Sequence, residues 1–128
     1  MAKIEGKCKE VINAAEWVAF ATHGADGPHL AATWGEYIRV LGIRDDEIIL
    51  VPAGGYQKTE QNLLKDDTIE MICATRTVEG AHGAGKGCRI RGKGELRSAG
   101  EYFEATRKIF PWTRGVLVIK VEEVMEQL

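Results

Sequence analysis

No stretch of this sequence approaches the roughly 18 consecutive apolar residues that a membrane-spanning helix needs. The opening Met1-Ala2-Lys3-Ile4-Glu5-Gly6 carries no apolar signal-peptide region, so the cytoplasm is the expected location. Charge of neither sign dominates: 17 Lys and Arg face 19 Asp and Glu, a net charge of −2. The broad positive field that non-specific nucleic-acid or anionic-membrane binding requires is therefore missing, and neither partner is expected. Cysteine is scarce and odd in number, with Cys8, Cys73 and Cys88 far apart and no C-x-x-C pair, which excludes a disulfide framework and fits a reducing compartment. Cys8 and Cys73 sit in apolar patterns as packing residues, while Cys88 follows a glycine-rich stretch and is expected to be the more accessible thiol. The three histidines, His23, His29 and His82, show no helical pairing of the kind that builds a metal site, and none is expected.

What remains is the composition of one ordinary globular domain spanning residues 1–128, with 45% apolar and 28% charged side chains. Folding a chain of this length buries roughly two thirds of its unfolded surface, enough for one core. Ile4, Cys8, Val11, Ile12 and Ala15 recur on one face of a helix over 4–15. Trp17 to Thr22 and His29 to Val40 read as two strands around an Asp26-Gly27-Pro28 turn. Arg44-Asp45-Asp46 marks a further reversal, and Glu47 to Val51 is a short buried strand that stops at Pro52. A short helix follows over Lys58–Lys65 with Thr59 as its N-cap. Thr68–Thr77 and Cys88–Leu96 have strand composition, Ser98–Ile109 reads as a helix closed by Pro111, and Gly115–Val121 is a last strand. Hairpin-length connections between most strands predict a mostly β fold with flanking helices, an antiparallel sheet closed into a small barrel.

Two glycine clusters compete as a phosphate site. Gly80 to Lys86 matches G-x-x-x-x-G-K, but Gly87 stands where Mg²⁺ coordination needs Ser or Thr, and the residues after it look like a strand. A hairpin loop or lid is the reading that remains. Val51-Pro52-Ala53-Gly54-Gly55-Tyr56-Gln57-Lys58-Thr59 is better built: a buried strand ends, two glycines turn the backbone, and a helix start adds free N–H groups to the Lys58 charge and the Thr59 hydroxyl. The same residues also read as a plain strand-to-helix turn with Lys58 solvated. Trp34 and Tyr37 lie three apart in a segment read as extended, and so point to opposite faces unless Gly35 introduces a bulge. Trp112, after Pro111, falls in a non-helical connection near a surface or interface. Tryptophans beside a phosphate-capable turn are what a stacked heterocycle needs.

Asp26-Gly27-Pro28-His29-Leu30, Thr33-Trp34, Val51 to Gly55 with Lys58-Thr59-Glu60, and Leu117-Val118-Ile119 run in the same order as in one known group. The chain from about Val18 to Leu128 resembles the small FMN-binding proteins of anaerobic bacteria, within the pyridoxamine 5′-phosphate oxidase-like FMN-binding split-barrel family. That resemblance implies an antiparallel Greek-key split β-barrel and a homodimer with one FMN per subunit near the interface. Lys58, Thr59 and Thr33 would hold the phosphate, and Pro52, Ala53, Gly54 and Gly55 would follow the isoalloxazine edge. Trp34 and Tyr37 would border the ring, with Trp112 and Leu128 reaching it from the partner subunit. Two departures stand out. Ala32 replaces an amide residue before Thr33-Trp34, and the acidic end Val121 to Leu128 lacks the basic segment of true pyridoxamine phosphate oxidases. The departures point away from oxidation of a pyridoxamine phosphate, and the expected function is electron transfer through FMN to or from a redox partner protein or a small acceptor. The alternative is a flavin-dependent reductase or oxidase acting on a small organic substrate, for which His29, His82 and Tyr37 are the candidate proton donors. A cofactor-free interaction module is the third reading.

Overall fold

The computed structural model describes residues 2–128. Its elements are α1 (Gly6–Ala14), β1 (Trp17–Gly24), β2 (Gly27–Trp34), α2 (Gly35–Leu41), β3 (Ile48–Ala53), α3 (Gln57–Lys65), β4 (Thr68–Gly80), β5 (Gly83–Arg97), α4 (Glu101–Ile109) and β6 (Gly115–Gln127). All six strands form one antiparallel sheet in the order β2-β1-β4-β5-β6-β3. The sheet curls into a half-barrel around the main core. Strand alternation drives this: in β1, Val18, Phe20 and Thr22 turn inward while Trp17 and His23 face solvent. The stripe anticipated on α1 packs against the barrel, with Ile4, Cys8, Val11, Ile12 and Ala15 all buried. A second cluster, Leu41, Leu50, Phe103, Val116 and Val118, joins α4 to the opposite face of β3 and β6. No helix of the described residues is long and apolar enough to cross a membrane.

Four expectations are corrected. The segment read as one strand to Val40 breaks at Trp34, where α2 begins, and Ile38 and Leu41 are buried one turn apart. The local reason is Gly35: its N–H donates to the Glu16 carbonyl at 2.9 Å, and an added Cβ would lie 1.9 Å from the Ala15 carbonyl oxygen. The chain must therefore turn where β2 meets the end of α1, and the β-branched residues of Glu36–Leu41 follow the packing rather than their own preference. The glycine-rich stretch is mostly strand, with β4 running to Gly80, β5 starting at Gly83 and only Ala81-His82 left as the turn. β6 continues past Val121 to Gln127 to pair with this long hairpin.

The last correction concerns the thiols. Cys88 is buried, not accessible, and the fold gathers the three dispersed cysteines: Cys73 and Cys88 are cross-strand partners in β4 and β5, and Cys8 on α1 packs onto both. Burial pushes the Cys73 thiol up to about 12, with Cys8 adding to the effect. Burial, reinforced by the neighbouring Cys8, pushes Cys88 up as well. Both groups therefore stay protonated and unreactive in the folded chain, since the thiolate is the nucleophile. A thiol held neutral while its unfolded counterpart ionises near pH 8.5 leaves stability intact below that pH and erodes it above. We expect no reaction with a disulfide reagent such as DTNB at neutral pH until the protein is unfolded, and a melting temperature that falls as pH rises through about 9. Rapid titration of one or more thiols in the native protein would contradict this packing.

Candidate functional site

A cleft of about 400 Å³ opens where the ends of β2 and β3 meet the connection after α4. β2 delivers Ala32, Thr33 and Trp34, and the start of α2 delivers Tyr37. β3 and the turn after it deliver Pro52, Gly54, Gly55 and Tyr56, and the segment before β6 delivers Trp112. Ala53 lies buried at the end of β3 and is not on the cleft surface. The resulting walls are mainly aromatic and apolar, with the rings of Tyr37, Phe110 and Trp112 packed in tilted contacts at 4.9 to 6.0 Å between centroids. Trp34 and Trp112 are each about half exposed, 51% and 53%, so both offer a free ring face or edge at the cleft mouth. Trp17, which the sequence reading did not nominate, stands opposite Trp34 in the β1–β2 register and lines the same cleft. Its signal was only that of an outward strand position.

The floor is the β3–α3 turn. Gly54 supports Trp112 directly: an added Cβ would sit 3.0 Å from the indole Cε3. A side chain there would force the ring to give way by a few tenths of an ångström. Tyr56 takes a left-handed conformation, φ 65°, and is the N-cap of α3, which corrects the assignment of Thr59 to that role. A left-handed residue followed by a helical one forms a nest of N–H groups, here those of Tyr56, Gln57 and Lys58. Together with the free donors of the first helical turn, it makes this corner attractive to an anion. Lys58 adds a half-exposed ammonium whose one ion pair is a loose contact of 3.9 Å with Asp26.

Thr59 is the most informative residue. It is fully buried in the first turn of α3, and its Oγ1 has no hydrogen-bond partner among the described residues. Leaving such a hydroxyl unpaired costs on the order of 1 to 3 kcal/mol, a cost that a ligand oxygen brought to the start of α3 would offset. The residues therefore fit a flat aromatic group carrying a phosphate: aromatic walls at one end, glycine backbone beneath, and a cationic helix start at the other.

Tyr56 also braces the cleft. Its hydroxyl donates to the Ala32 carbonyl, tying the α3 turn to β2 across the floor. Burial pushes its phenol up, Thr33 opposes that shift, and Tyr37 adds to it, so the ring is neutral at ordinary pH. The remaining nominated residues lie elsewhere. His29 is on β2 outside the cleft lining, and His82 lies at the β4–β5 turn. Leu128 rests on that hairpin too, its carbonyl accepting from the Ala81 N–H at 2.8 Å, beside a separate hollow of about 460 Å³. Trp112 lines the cleft of its own chain, and Leu128 does not line its own chain's cleft.

Comparison with known proteins adds to this geometry. The chain is 42% identical over 125 residues to a protein named FMN-binding protein from Nitratidesulfovibrio vulgaris (strain DSM 19637 / Miyazaki F), covering 98% of this chain and 99% of that one. Among solved structures, a single-residue variant of HupZ from Group A Streptococcus superposes with a TM-score of 0.74 at 22% identity, over 97% of this chain and 99% of the other. An FMN-binding protein from Syntrophomonas wolfei subsp. wolfei gives 0.65 at 21% identity, over 95% and 84%. At such identities the two structures speak for the split-barrel fold. The family model described as pyridoxamine 5′-phosphate oxidase matches residues 4–127. On the family match and the close relative together, the chain belongs to the pyridoxamine 5′-phosphate oxidase family.

Proposed function

We propose that this protein binds FMN non-covalently in the β2–β3–α3 cleft and works in electron transfer. The observation that carries the reading is the aromatic-walled cleft of about 400 Å³ floored by the Gly54–Gly55 turn, with Lys58 and the buried, unpartnered Thr59 hydroxyl following that turn at the start of α3, outside the cleft lining itself. The name of the 42% identical relative supports the choice of FMN over other phosphate-bearing heterocycles. Lys58, Thr59 and the nest at Tyr56 hold the phosphate, with Thr33 at the opposite wall. Gly54 and Gly55 carry the edge of the ring, and Trp34, Tyr37 and Trp112 border it. FMN supplies the redox chemistry when bound; the chain supplies binding, orientation and shielding.

Electron transfer is favoured by what lines the walls. Among the described residues the cleft lining contains no His, Asp, Glu or Lys. Of its two phenols, Tyr56 is raised in pKa and committed to the Ala32 carbonyl. A one-electron exchange needs no acid or base from the protein, whereas turnover of an organic substrate needs a proton donor near the reacting atom. Tyr37, the one nominated donor that reaches the cleft, keeps the reductase or oxidase reading alive as the alternative. The partners that fit are a redox protein docking at the half-exposed tryptophans and a second copy of this chain. The second copy is supported by the outer sheet face, where Leu30, Ile72 and Met125 are 73%, 47% and 50% exposed and the intervening Glu70 and Arg89 neutralise each other. Three buried free thiols fit a reducing compartment, and we assign the protein to the cytoplasm.

Titration with FMN is expected to give saturable binding at about one flavin per chain. Lys58→Ala and Thr59→Val should each weaken it about tenfold or more, the scale of one charged or buried hydrogen-bonded contact to phosphate. Unchanged dissociation constants in both would remove the turn from the site. The purified flavin-loaded protein should not turn over NAD(P)H with any of a panel of small acceptors; sustained turnover that Tyr37→Phe abolishes would establish the enzyme reading instead. In sedimentation equilibrium the chain should behave as a dimer, and Leu30→Glu with Ile72→Glu should convert it to a monomer. A monomeric wild type would refute the dimer.

A further inference from the structure

We propose that Arg114 is a positioning residue for the phosphate: its guanidinium grips the Gly55 carbonyl and thereby aims the N–H groups of the β3–α3 turn at the anion. The inference rests on the FMN reading above. Arg114 directs Nε and Nη2 onto the Gly55 oxygen at 3.0 and 2.7 Å, and Nη1 onto Glu60 Oε1 at 3.0 Å. Its own backbone N–H donates to the Ala53 carbonyl at 2.8 Å. One residue thus holds both sides of the Gly54–Gly55 turn and the first turn of α3, from a position two residues after Trp112, whose ring lies on Gly54.

The consequence follows from the planarity of the peptide bond. The turn has no cis peptide, so the carbonyl of Gly55 and the N–H of Tyr56 point in opposite directions from one plane. Fixing the carbonyl toward Arg114 fixes the Tyr56 N–H away from it, and that N–H is the first of the nest. Tyr56 sits at φ 65°, a conformation that a non-glycine residue adopts only when its surroundings hold it. The bidentate grip on the preceding carbonyl supplies that hold. The charge of Arg114 is compensated by Glu60 in an ion pair with both side chains about one third exposed, so the residue acts through the turn and not as a phosphate ligand. Lysine cannot reproduce the effect, because an ammonium lacks the planar fork that reaches one carbonyl with two N–H groups while a third meets a carboxylate.

The test compares FMN with riboflavin, which has the same ring and ribityl chain without the phosphate, in calorimetric titrations of the flavin-depleted wild type, Arg114→Ala and Arg114→Lys. The expected result is that Arg114→Ala weakens FMN about tenfold or more, the scale of a misaligned set of charge-assisted contacts, while riboflavin changes less than about twofold. Arg114→Lys should recover only part of the FMN loss. A merely structural role would weaken both flavins alike, and that outcome overturns the proposal, as does an unchanged FMN affinity in both variants. If Arg114→Ala does not fold, the ratio of the two affinities in Arg114→Lys carries the decision by itself. A wild type that fails to prefer FMN over riboflavin overturns the phosphate assignment, and the role of Arg114 with it.

Discussion

The close contact of β5 and β6 at Gly92 is the constraint on which the rest of the molecule depends. A Cβ at Gly92 would lie 2.1 Å from the Lys120 carbonyl oxygen, so no other residue allows the two strands to approach as they do. At the same point the register shifts: Arg91 faces Glu123 and Gly92 faces Val121, leaving Glu122 as an extra residue on β6. A bulge of this kind bends a strand and increases its twist. It divides the sheet into a half built on β1, β2 and β4 and a half in which β6 pairs with β3, and the curl between them forms the interior. Two residues further along β5, Gly94 lets Leu63 of α3 seat directly on the strand, with a Cβ there 3.2 Å from the leucine methyls. The helix that follows the β3–α3 turn is thus docked by the same strand that bends the sheet.

Because of that curl, the ends of β2 and β3, which are the two edges of the sheet, meet on one side of the molecule. Neither edge builds a site alone. β2 brings Thr33 and Trp34, while β3 brings a turn, and the two are pinned to each other by Tyr56 through the Ala32 carbonyl. A second tie lies deeper, where Asn62 of α3 donates to the buried Thr22 hydroxyl of β1 at 3.1 Å. Hydrogen bonds of this kind contribute only about 1 kcal/mol each to stability, but they bridge elements distant in sequence and so fix the relative placement of the two walls. Against that background, the Thr59 hydroxyl stands out as unpartnered among the described residues.

Much of this was legible in the chain itself, for reasons that can be located. The α1 stripe is legible because a helix packed on a sheet repeats its apolar positions at fixed intervals, and the turn from β3 into α3 is legible because Gly54-Gly55 after a proline-stopped strand marks a reversal. What the sequence hid was long-range. α2 forms because Gly35 must pass the Ala15 carbonyl, a contact between residues far apart in the chain, so local β-branched composition misleads there. Cys88 follows a flexible-looking glycine run, yet pairing with Cys73 and packing beneath α1 bury it. Thr59 looks like a cap by residue type, but Tyr56 takes the cap position through a backbone angle that sequence does not display. Arg114 has no signal at all, since its meaning lies in contacts 54 and 59 residues distant.

The two ends of the cleft also divide the chemistry between different residues. In the proposed complex, affinity at the α3 end would depend on N–H groups, an ammonium and a hydroxyl, all of which would read the phosphate and none of which would touch the reacting ring. At the other end, Trp34, Tyr37 and Trp112 line the cleft and would set the polarity and solvent access around a bound ring while offering it little charge. Burial in such surroundings disfavours added charge on a bound ring, and exposure at a half-open mouth moderates that effect. On the proposed reading, anchoring and redox tuning would be separable: the aromatic wall would change the behaviour of the ring while the β3–α3 turn retained it. On the same reading the glycines at the boundary would be accounted for, since the backbone of Gly54 carries the Trp112 indole and, with Gly55, leads into the turn that would meet the phosphate.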